Sequence, residues 1–142
     1  MVAINYWAIA LCTVVNMILG GLWYSPLLFG TTWVQLMGFD FNKMKTDPTI
    51  QKNAQKGYII SSVCHLIMTI MMAHFLQYTH AAGSWFDGLK IGFCCWLGFT
   101  LTTMLPNHVF STKNFSWLLA AINIGYPMVG LSLAGAILAA LH

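Results

Sequence analysis

The sequence contains four long apolar stretches with almost no charge. Only 6% of its residues are charged, compared with about a quarter in a typical soluble domain. The stretches cover residues 4–24, 57–78, 86–105 and 115–141, and each has the roughly 20 residues that a helix needs to cross about 30 Å of hydrocarbon. Because a backbone in lipid must satisfy its own hydrogen bonds, spans of this kind are helices. The sequence therefore predicts an all-α integral membrane protein with four transmembrane helices in a compact bundle.

The composition argues against several other classes of protein. A formal net charge of +3, spread thinly along the chain, does not favour nucleic-acid binding. The strands of a membrane barrel would alternate polar and apolar residues, and these stretches do not. Since the four stretches occupy most of the 142 residues, we expect one membrane domain over residues 1–142 and no separate soluble domain.

The residues that common enzyme chemistry needs are not found within the predicted spans. Asp40 and Asp47 fall in the first connection and Asp87 falls at a membrane interface, so no two carboxylates pair inside the membrane. The sequence has neither a glycine-rich phosphate loop nor a nucleophile elbow. This pattern argues against hydrolysis or phosphoryl transfer, and the interpretation leans away from an enzyme.

The histidines and methionines do not form a pattern that predicts a metal or haem site. His65 and His74 are nine residues apart, which places them on opposite faces of one helix. Met68, Met71 and Met72 resemble a soft copper patch, but methionines clustered on an apolar helix usually serve packing. We therefore expect no metal and no cofactor.

The distribution of lysine predicts the orientation, since the chain has no arginine. The connection over residues 27–56 and the connection between spans three and four contain five lysines, against Lys90 alone on the opposite side. Loops rich in positive charge remain in the cytoplasm, so both termini are expected outside. The five lysines are Lys43, Lys45, Lys52, Lys56 and Lys113.

The first connection has helical signals of its own. Thr31 or Thr32 can cap a short helical piece that Gly38 would end. We expect this piece to lie in the membrane interface, with Trp33 as its anchor. The sequence Thr-Asp-Pro at residues 46–48 is typical of a helix start, because proline follows a capping residue at the first helical position. The second membrane helix is therefore expected to begin there.

Each span has a stripe of small or polar residues at helical spacing. Such residues favour helix contacts in lipid, because they permit close approach and cross-helix hydrogen bonds. We therefore expect the four stripes to face one another. In order of span, they are Asn5, Ile9, Cys12, Asn16, Leu19 and Trp23; Tyr58, Ser62, His65, Thr69, Met72 and Leu76; Gly88, Gly92, Cys95, Phe99 and Thr102; and Ser116, Ala120, Asn123, Pro127, Gly130 and Ala134.

The strongest hydrogen-bonding residues of these stripes fall at a similar depth. Asn16, His65 and Asn123 lie slightly to the cytoplasmic side of their span midpoints, and we expect them to approach one another with His65 at the centre. Pro127 deprives the Asn123 carbonyl of its helical partner, and broken membrane helices often bind ions or substrates. Deep polar groups are functional candidates, although they also simply join helices, at about 1 kcal/mol each. The candidate ligand-binding residues are Asn16, His65, Thr69, Thr102, Asn123 and Pro127.

The run GLWYSPLLFG over residues 21–30, with Trp33 after it, resembles the signature of an uncharacterised bacterial membrane family, the domain of unknown function 1761. The resemblance covers essentially the whole chain. It implies a compact four-helix protein of the bacterial cytoplasmic (inner) membrane, and it implies no activity. The later similarities are Gly92-Phe93, Trp96, Gly98-Phe99, Asn107, Ile122-Asn123 and Tyr126.

Two functions from different classes follow from these patterns. The first is a homo-oligomeric binding or transport protein that contacts a small molecule, a lipid or an ion through the polar layer. The second is a non-enzymatic accessory subunit that docks onto a larger membrane complex, and a membrane enzyme acting on a quinone or lipid comes third. A homo-oligomer is expected because Gly88-x-x-x-Gly92 and the stripe from Ala120 to Ala134 offer more small-residue surface than one internal seam needs. The other expected partner is the lipid bilayer.

Overall fold

The computed structural model describes residues 4–40, 44, 46–80, 83–111 and 115–141. Over these residues the protein is helical, and they contain no strand. The elements are α1 (Tyr6–Trp23), α2 (Gly30–Leu36), α3 (Pro48–Tyr78), α4 (Trp85–Cys95), a π-helical segment (Trp96–Leu101), α5 (Thr102–Ser111) and α6 (Trp117–Ala140).

Four helical stretches in the described part of the chain are long and apolar enough to cross a membrane. They are α1, α3, the continuous helix Trp85–Phe110 and α6. The predicted fold class, an all-α membrane protein with four transmembrane helices, is thereby confirmed. Three of the lysines behind the predicted orientation, Lys43, Lys45 and Lys113, lie outside the described residues.

Short polar side chains cap all four membrane helices, and the side-chain oxygen of Asn5 accepts from the first amides of α1. The carboxylate of Asp47 accepts a hydrogen bond from the N–H of Thr49 at 2.8 Å, and Pro48 occupies the first position of α3. The start predicted from residues 46–48 is therefore confirmed. Ser84 caps α4 and Ser116 caps α6 in the same way. These bonds satisfy amides that the first turn of a helix leaves without an intrahelical partner.

A tight turn over residues 24–29 joins α1 to α2. The amides of Phe29 and Gly30 donate to the carbonyls of Trp23 and Ser25 at 3.1 and 2.9 Å. A side chain on Gly30 would overlap the backbone of this turn, so the turn requires glycine at that position. The turn directs α2 towards α6, which α2 contacts.

Helix α2 differs from the predicted piece at its start and agrees with it at its end. Its N-cap is Phe29, which makes no side-chain hydrogen bond, and the threonines at residues 31–32 lie inside the helix. The predicted threonine cap is therefore wrong, because the tight turn already starts the helix at residue 30. Gly38 ends the helix with a φ of +71°, and the amide of Phe39 donates to the carbonyl of Val34 at 3.1 Å. This is the bond that closes a Schellman motif.

Glycines bring α4 and α6 into direct backbone contact. A methyl group on Gly88 would overlap the carbonyl of Gly135, and one on Gly92 would overlap the carbonyl of Leu131. Because the two α4 glycines lie one helical turn apart, a whole face of α4 approaches α6 without intervening side chains. The Gly88-x-x-x-Gly92 pattern is thus used within a single chain.

The third span changes its winding halfway along. Its middle, Trp96–Leu101, is π-helical, so one more residue fits into the turn. The extra residue shifts the sequence stripe by one position, which corresponds to about 100° around the helix, and the stripe that begins at Gly88 leaves the packed face. Phe99 is 68% exposed, and Thr102 is also exposed. The predicted position of Thr102 in a shared polar layer is therefore wrong.

Helix α6 is the central element. It contacts α1, α3 and α4, and it has buried residues along most of its length. At Ala134, which is fully buried, the backbone carbonyl lies 3.8 Å from the sulfur of Cys12 in α1. The faces of α1 and α3 that point away from α6 are lined by exposed aliphatic side chains, which suits a lipid environment. The polar groups described next all border α6.

The glycine seam predicts that Gly92→Leu destabilises the protein within one chain. The leucine side chain must fit between two backbones in contact, so the free energy of unfolding should fall by about 3 kcal/mol or more. Gly57→Leu is the matched control, because no atom lies within 4 Å of a Cβ at Gly57. Thermal unfolding of both variants in one detergent measures the difference, and equal midpoints would contradict the seam.

Candidate functional site

Polar side chains gather between α1, α3 and α6, toward the end of the protein where α1 ends and α3 begins. We call this the connection end. A first network joins three helices there: the Tyr126 hydroxyl of α6 lies 2.7 Å from Nε2 of His65 and 3.0 Å from the backbone carbonyl oxygen of Asn16. Nδ1 of His65 lies 2.6 Å from the carbonyl oxygen of Ser61 on its own helix. Tyr126 therefore links α1 and α3 through one hydroxyl group.

A second network is centred on Asn123 of α6. Its side-chain oxygen accepts a hydrogen bond from the indole N–H of Trp33 at 2.9 Å and a longer one from the hydroxyl of Tyr24 at 3.4 Å. Trp33 belongs to α2, so the indole fixes that short helix to α6. The sequence placed Trp33 as an interfacial anchor, whereas its indole N–H is directed into the protein.

Aromatic rings connect the two networks. The ring of Tyr24 packs edge-on against Trp33 at 5.5 Å and against Tyr126 at 5.8 Å between centroids. The ring of His65 meets Tyr126 at 6.0 Å, also edge-on. Edge-to-face pairs of this kind favour a fixed mutual geometry. The connection end is therefore an ordered aromatic cluster with hydrogen-bonding groups at both sides.

Two further indoles bind the backbone of α6 close to its proline. The N–H of Trp23 donates to the carbonyl of Ile122 at 3.0 Å, and the N–H of Trp96 donates to the carbonyl of Ile124 at 2.9 Å. Pro127 lacks an amide hydrogen, so the intervening carbonyl, of residue 123, has no helical donor at position 127. Tryptophans from two other spans thus hold α6 on both sides of the position that proline weakens.

Glycines make room for this cluster. A Cβ on Gly20 would lie 3.0 Å from the Tyr126 hydroxyl oxygen, and one on Gly130 would lie 2.5 Å from Oδ1 of Asn16. At Gly20 the Tyr126 hydroxyl would have to move by a few tenths of an ångström, and at Gly130 the Asn16 side chain would have to shift further. The small residues at these positions therefore admit polar side chains from the neighbouring helix.

A cavity of about 400 Å³ adjoins the cluster. The hydrogen-bonding groups on its wall include Asn123 and Tyr126, and Nε2 of His108 is buried. No charged side chain of the described residues lines it, and among those residues no group of three or more His, Cys, Asp or Glu could hold a metal ion. The lining residues are Tyr24, Met104, Asn107, His108, Asn123, Ile124, Tyr126 and Pro127.

A second, apolar cavity of about 330 Å³ lies on the other side of Pro127. We call it the methionine groove, because three methionines of α3 form one of its walls. The opposite wall includes Phe99 and Thr100 of the π-helical segment, whose wider turn shapes the groove. Its lining residues are Met68, Met71, Met72, Phe75, Cys95, Phe99, Thr100, Pro127 and Leu131.

The structure brings four of the six predicted site residues to the two networks or the cavities and leaves two away from them. Asn16 and Thr69 are 1% and 0% exposed, but their side chains bond to carbonyls of their own helices, those of Cys12 and His65. Four of the six predicted residues border the two networks or the cavities: Asn16 through its backbone, His65, Asn123 and Pro127. Thr69 lies in the core, and the hydroxyl of Thr102 bonds to carbonyls of its own helix on the exposed side.

Depths within the stripes were compared in the sequence only for amides, imidazoles and hydroxyls. The aromatic members of the site lie outside that set, so they were not predicted. Tyr126 is three residues from Asn123 and makes the contact to His65 that was expected of Asn123. Trp33 is predicted from the sequence only as an interfacial anchor, and Tyr24 appears only within the run of residues 21–30. The resemblance was the available signal, since residues 21–30, Trp33 and Tyr126 all belong to its similar positions.

Comparison with known proteins gives a family and no activity. The family described as "Protein of unknown function (DUF1761)" matches residues 7–139. No significant match to the chain is found among the curated proteins or among the solved structures. Function must therefore be argued from the geometry of the site.

Trp33→Phe should loosen α2 from α6. The change removes the indole donor from Asn123 while keeping an aromatic ring, and it should cost about 1 kcal/mol. Amide hydrogen exchange within Gly30–Leu36 should accelerate accordingly. Trp117→Phe is the control, because Trp117 is 72% exposed and should leave that exchange unchanged. Unaltered protection of α2 in Trp33→Phe would show that the indole bond does not hold the helix.

Proposed function

Because this chain belongs to the DUF1761 family, whose function is unknown, we propose a function from the site alone: an integral membrane protein that binds an amphiphile with a small uncharged polar head. The observation that supports this proposal is the shared wall at Pro127. The polar cavity and the methionine groove both border this residue. One elongated molecule can therefore place a polar end and an apolar end on adjacent surfaces.

The polar cavity suits a head with hydroxyl, carbonyl or amide groups. Asn123 and Asn107 carry amides, Tyr24 and Tyr126 carry hydroxyls, and the described wall has no fixed charge that would neutralise an ionic head. Burying an unpaired ion in such a site is costly. The ligand class is accordingly a neutral polar head.

The methionine groove suits a hydrocarbon chain. Methionine side chains are flexible and polarisable, so they adapt to irregular apolar ligands. Met71 is 63% exposed, which leaves the groove open towards lipid. The two volumes, about 400 and 330 Å³, each fall within the range of roughly 300–1,000 Å³ found for small-molecule sites. A ligand can thus enter sideways from the bilayer.

Packing within a single chain weakens the support for oligomerisation. The homo-oligomer and a transport role remain proposals. The small-residue stripes that suggested a homo-oligomer face α6 and its neighbours inside one chain: Gly88, Gly92, Ala120, Gly130 and Ala134 are all buried. An accessory subunit docking through the same stripes loses the same support, so ligand binding is the function we favour.

The proposal places the protein in a bacterial cytoplasmic membrane with both termini outside. Lys52 and Lys56, at the exposed start of α3, lie at the connection end. Positive charge at this position favours the cytoplasm. The polar cavity then opens nearer to the cytoplasmic side.

Photolabelling tests the amphiphile. A monoacylglycerol with a diazirine in its chain has an uncharged head, and we expect it to cross-link to α3 methionines and to the π-helical segment. Met71→Trp should fill the groove and reduce labelling about tenfold, which corresponds to a loss of roughly 1.4 kcal/mol in binding. The protein is labelled in bilayers, and the modified peptides are identified by mass spectrometry.

The control variant is Ile60→Trp, since Ile60 is 63% exposed on the same helix but does not line the groove. It should be labelled like the wild-type protein. Equal labelling of both variants, or labels spread evenly over the apolar surface, would overturn the proposal. A fatty acid with the same chain should compete poorly, and effective competition would refute the neutral head.

The orientation is tested by cysteine labelling in a background where the four native cysteines are alanine. Lys52→Cys should react with a membrane-impermeant maleimide only after the cells are permeabilised. Tyr78→Cys, at the opposite end of α3 and 80% exposed in the wild-type protein, should react in intact cells. The reverse pattern would place both termini in the cytoplasm.

A further inference from the structure

The first network contains fewer hydrogens than its hydrogen-bonding geometry calls for. We propose that Nε2 of His65 is a proton-binding site inside the membrane domain, and that Tyr126 passes the resulting change in hydrogen bonding to α1. The inference shares Tyr126 with the proposed ligand site but does not require the ligand, because all of its contacts are made by residues of this chain. It follows from three short contacts and from the number of hydrogens that each group carries.

The first step fixes the tautomer of His65. Nδ1 lies 2.6 Å from the carbonyl oxygen of Ser61. A carbonyl oxygen only accepts, so a separation this short requires a hydrogen on Nδ1. In the neutral imidazole the other nitrogen, Nε2, then has a lone pair and no hydrogen.

The second step concerns Tyr126, whose single hydroxyl hydrogen lies between two hydrogen-bond acceptors. Nε2 of neutral His65 lies 2.7 Å away and the Asn16 carbonyl oxygen lies 3.0 Å away. Both are acceptors, so whichever bond the hydroxyl makes, its oxygen faces a second lone pair at hydrogen-bond distance without a hydrogen between. The neutral network is therefore one hydrogen short.

A single proton from water on Nε2 resolves this conflict. The imidazolium then donates from Nδ1 to Ser61 and from Nε2 to the Tyr126 oxygen, and the hydroxyl is released to donate to Asn16. All three bonds run in one direction, and two of them come from a charged donor, which strengthens them. Proton binding thus adds one interhelical hydrogen bond, so that the α3–α6 bond and the α6–α1 bond are made at the same time.

Among the described residues, the titratable groups around His65 do not include a charged partner. From α6 the titratable neighbour is Tyr126, and from α1 it is Tyr24, whose ring packs on Tyr126. On α3 itself, Cys64 is adjacent and Lys56 lies nine residues away, roughly 13 Å along the axis. No carboxylate of the described residues forms an ion pair with His65. The groups that would face the charge are therefore the Ser61 carbonyl and the Tyr126 hydroxyl, which are dipoles and not counter-ions.

Solid-state NMR of the full-length protein in lipid bilayers, labelled with ¹⁵N at histidine, tests the proposal. His65→Gln identifies the His65 signals among those of the five histidines. At alkaline pH we expect the hydrogen on Nδ1 and a bare Nε2, and on acidification to pH 5 we expect a second hydrogen on Nε2. A neutral ring with its hydrogen on Nε2, or a ring that never binds a second hydrogen, would overturn the proposal.

Tyr126→Phe separates a proton site from a merely structural contact. The variant keeps the ring but removes the oxygen that accepts from the charged Nε2, so the ratio of protonated to neutral His65 at one fixed pH should fall about tenfold. Tyr24→Phe is the matched control and should leave the ratio unchanged. An unchanged ratio in Tyr126→Phe would contradict the role of Tyr126.

His74 provides an internal reference in every spectrum. Its Nδ1 makes the same kind of bond, to the carbonyl of Ile70 at 2.9 Å, and it lies on the opposite face of α3 from Tyr126. The protonation state of His74 should be the same in Tyr126→Phe as in the wild-type protein. If that variant fails to fold, as shown by its elution on size exclusion, the tautomer and the second hydrogen in the wild-type protein still decide the question.

Discussion

The interior of this protein depends on supplying, from the chain itself, a partner for every polar group that lies away from water. Lipid offers no hydrogen bonds, so an unpaired carbonyl or amide at membrane depth is costly. The demand is greatest in α6, where Pro127 removes an amide hydrogen from the helix. Indoles of Trp23 and Trp96 donate to carbonyls on either side of the weakened position. The hydrogen bonds that hold the other spans to α6 are concentrated where α6 is least able to satisfy itself.

Close approach is the second condition, and glycine supplies it in two ways. Between α4 and α6, Gly88 and Gly92 allow backbone to meet backbone without intervening side chains. Between α1 and α6, Gly20 and Gly130 leave space that Tyr126 and Asn16 fill with polar atoms. The same residue type therefore produces a backbone seam on one side of α6 and a hydrogen-bonded cluster on the other. The two cavities lie beyond both seams, around Pro127.

The sequence predicted the helices well because their signals are local. Span length, low charge and the Thr-Asp-Pro start depend only on neighbouring residues, and the structure has helices with these features. The site was only partly predictable. His65 and Asn123 were found because deep polar residues are rare, but their partners depend on side-chain reach across helices. Tyr126 takes the place expected of Asn123 because a tyrosine hydroxyl extends further from its backbone than an amide does.

The π-helical segment shows why a periodic stripe can fail to predict the packed face of a helix when no residue marks the change in winding. Every residue from Trp96 to Leu101 is compatible with an ordinary α-helix, so the local sequence does not predict the wider turn. Deleting one residue there would restore α-helical winding without turning α5, because the wider turn already accommodates one extra residue. The segment is thus the geometric equivalent of a one-residue insertion that is absorbed within one turn. The helical pieces before and after it keep their orientation, while the sequence stripe shifts by one position between them.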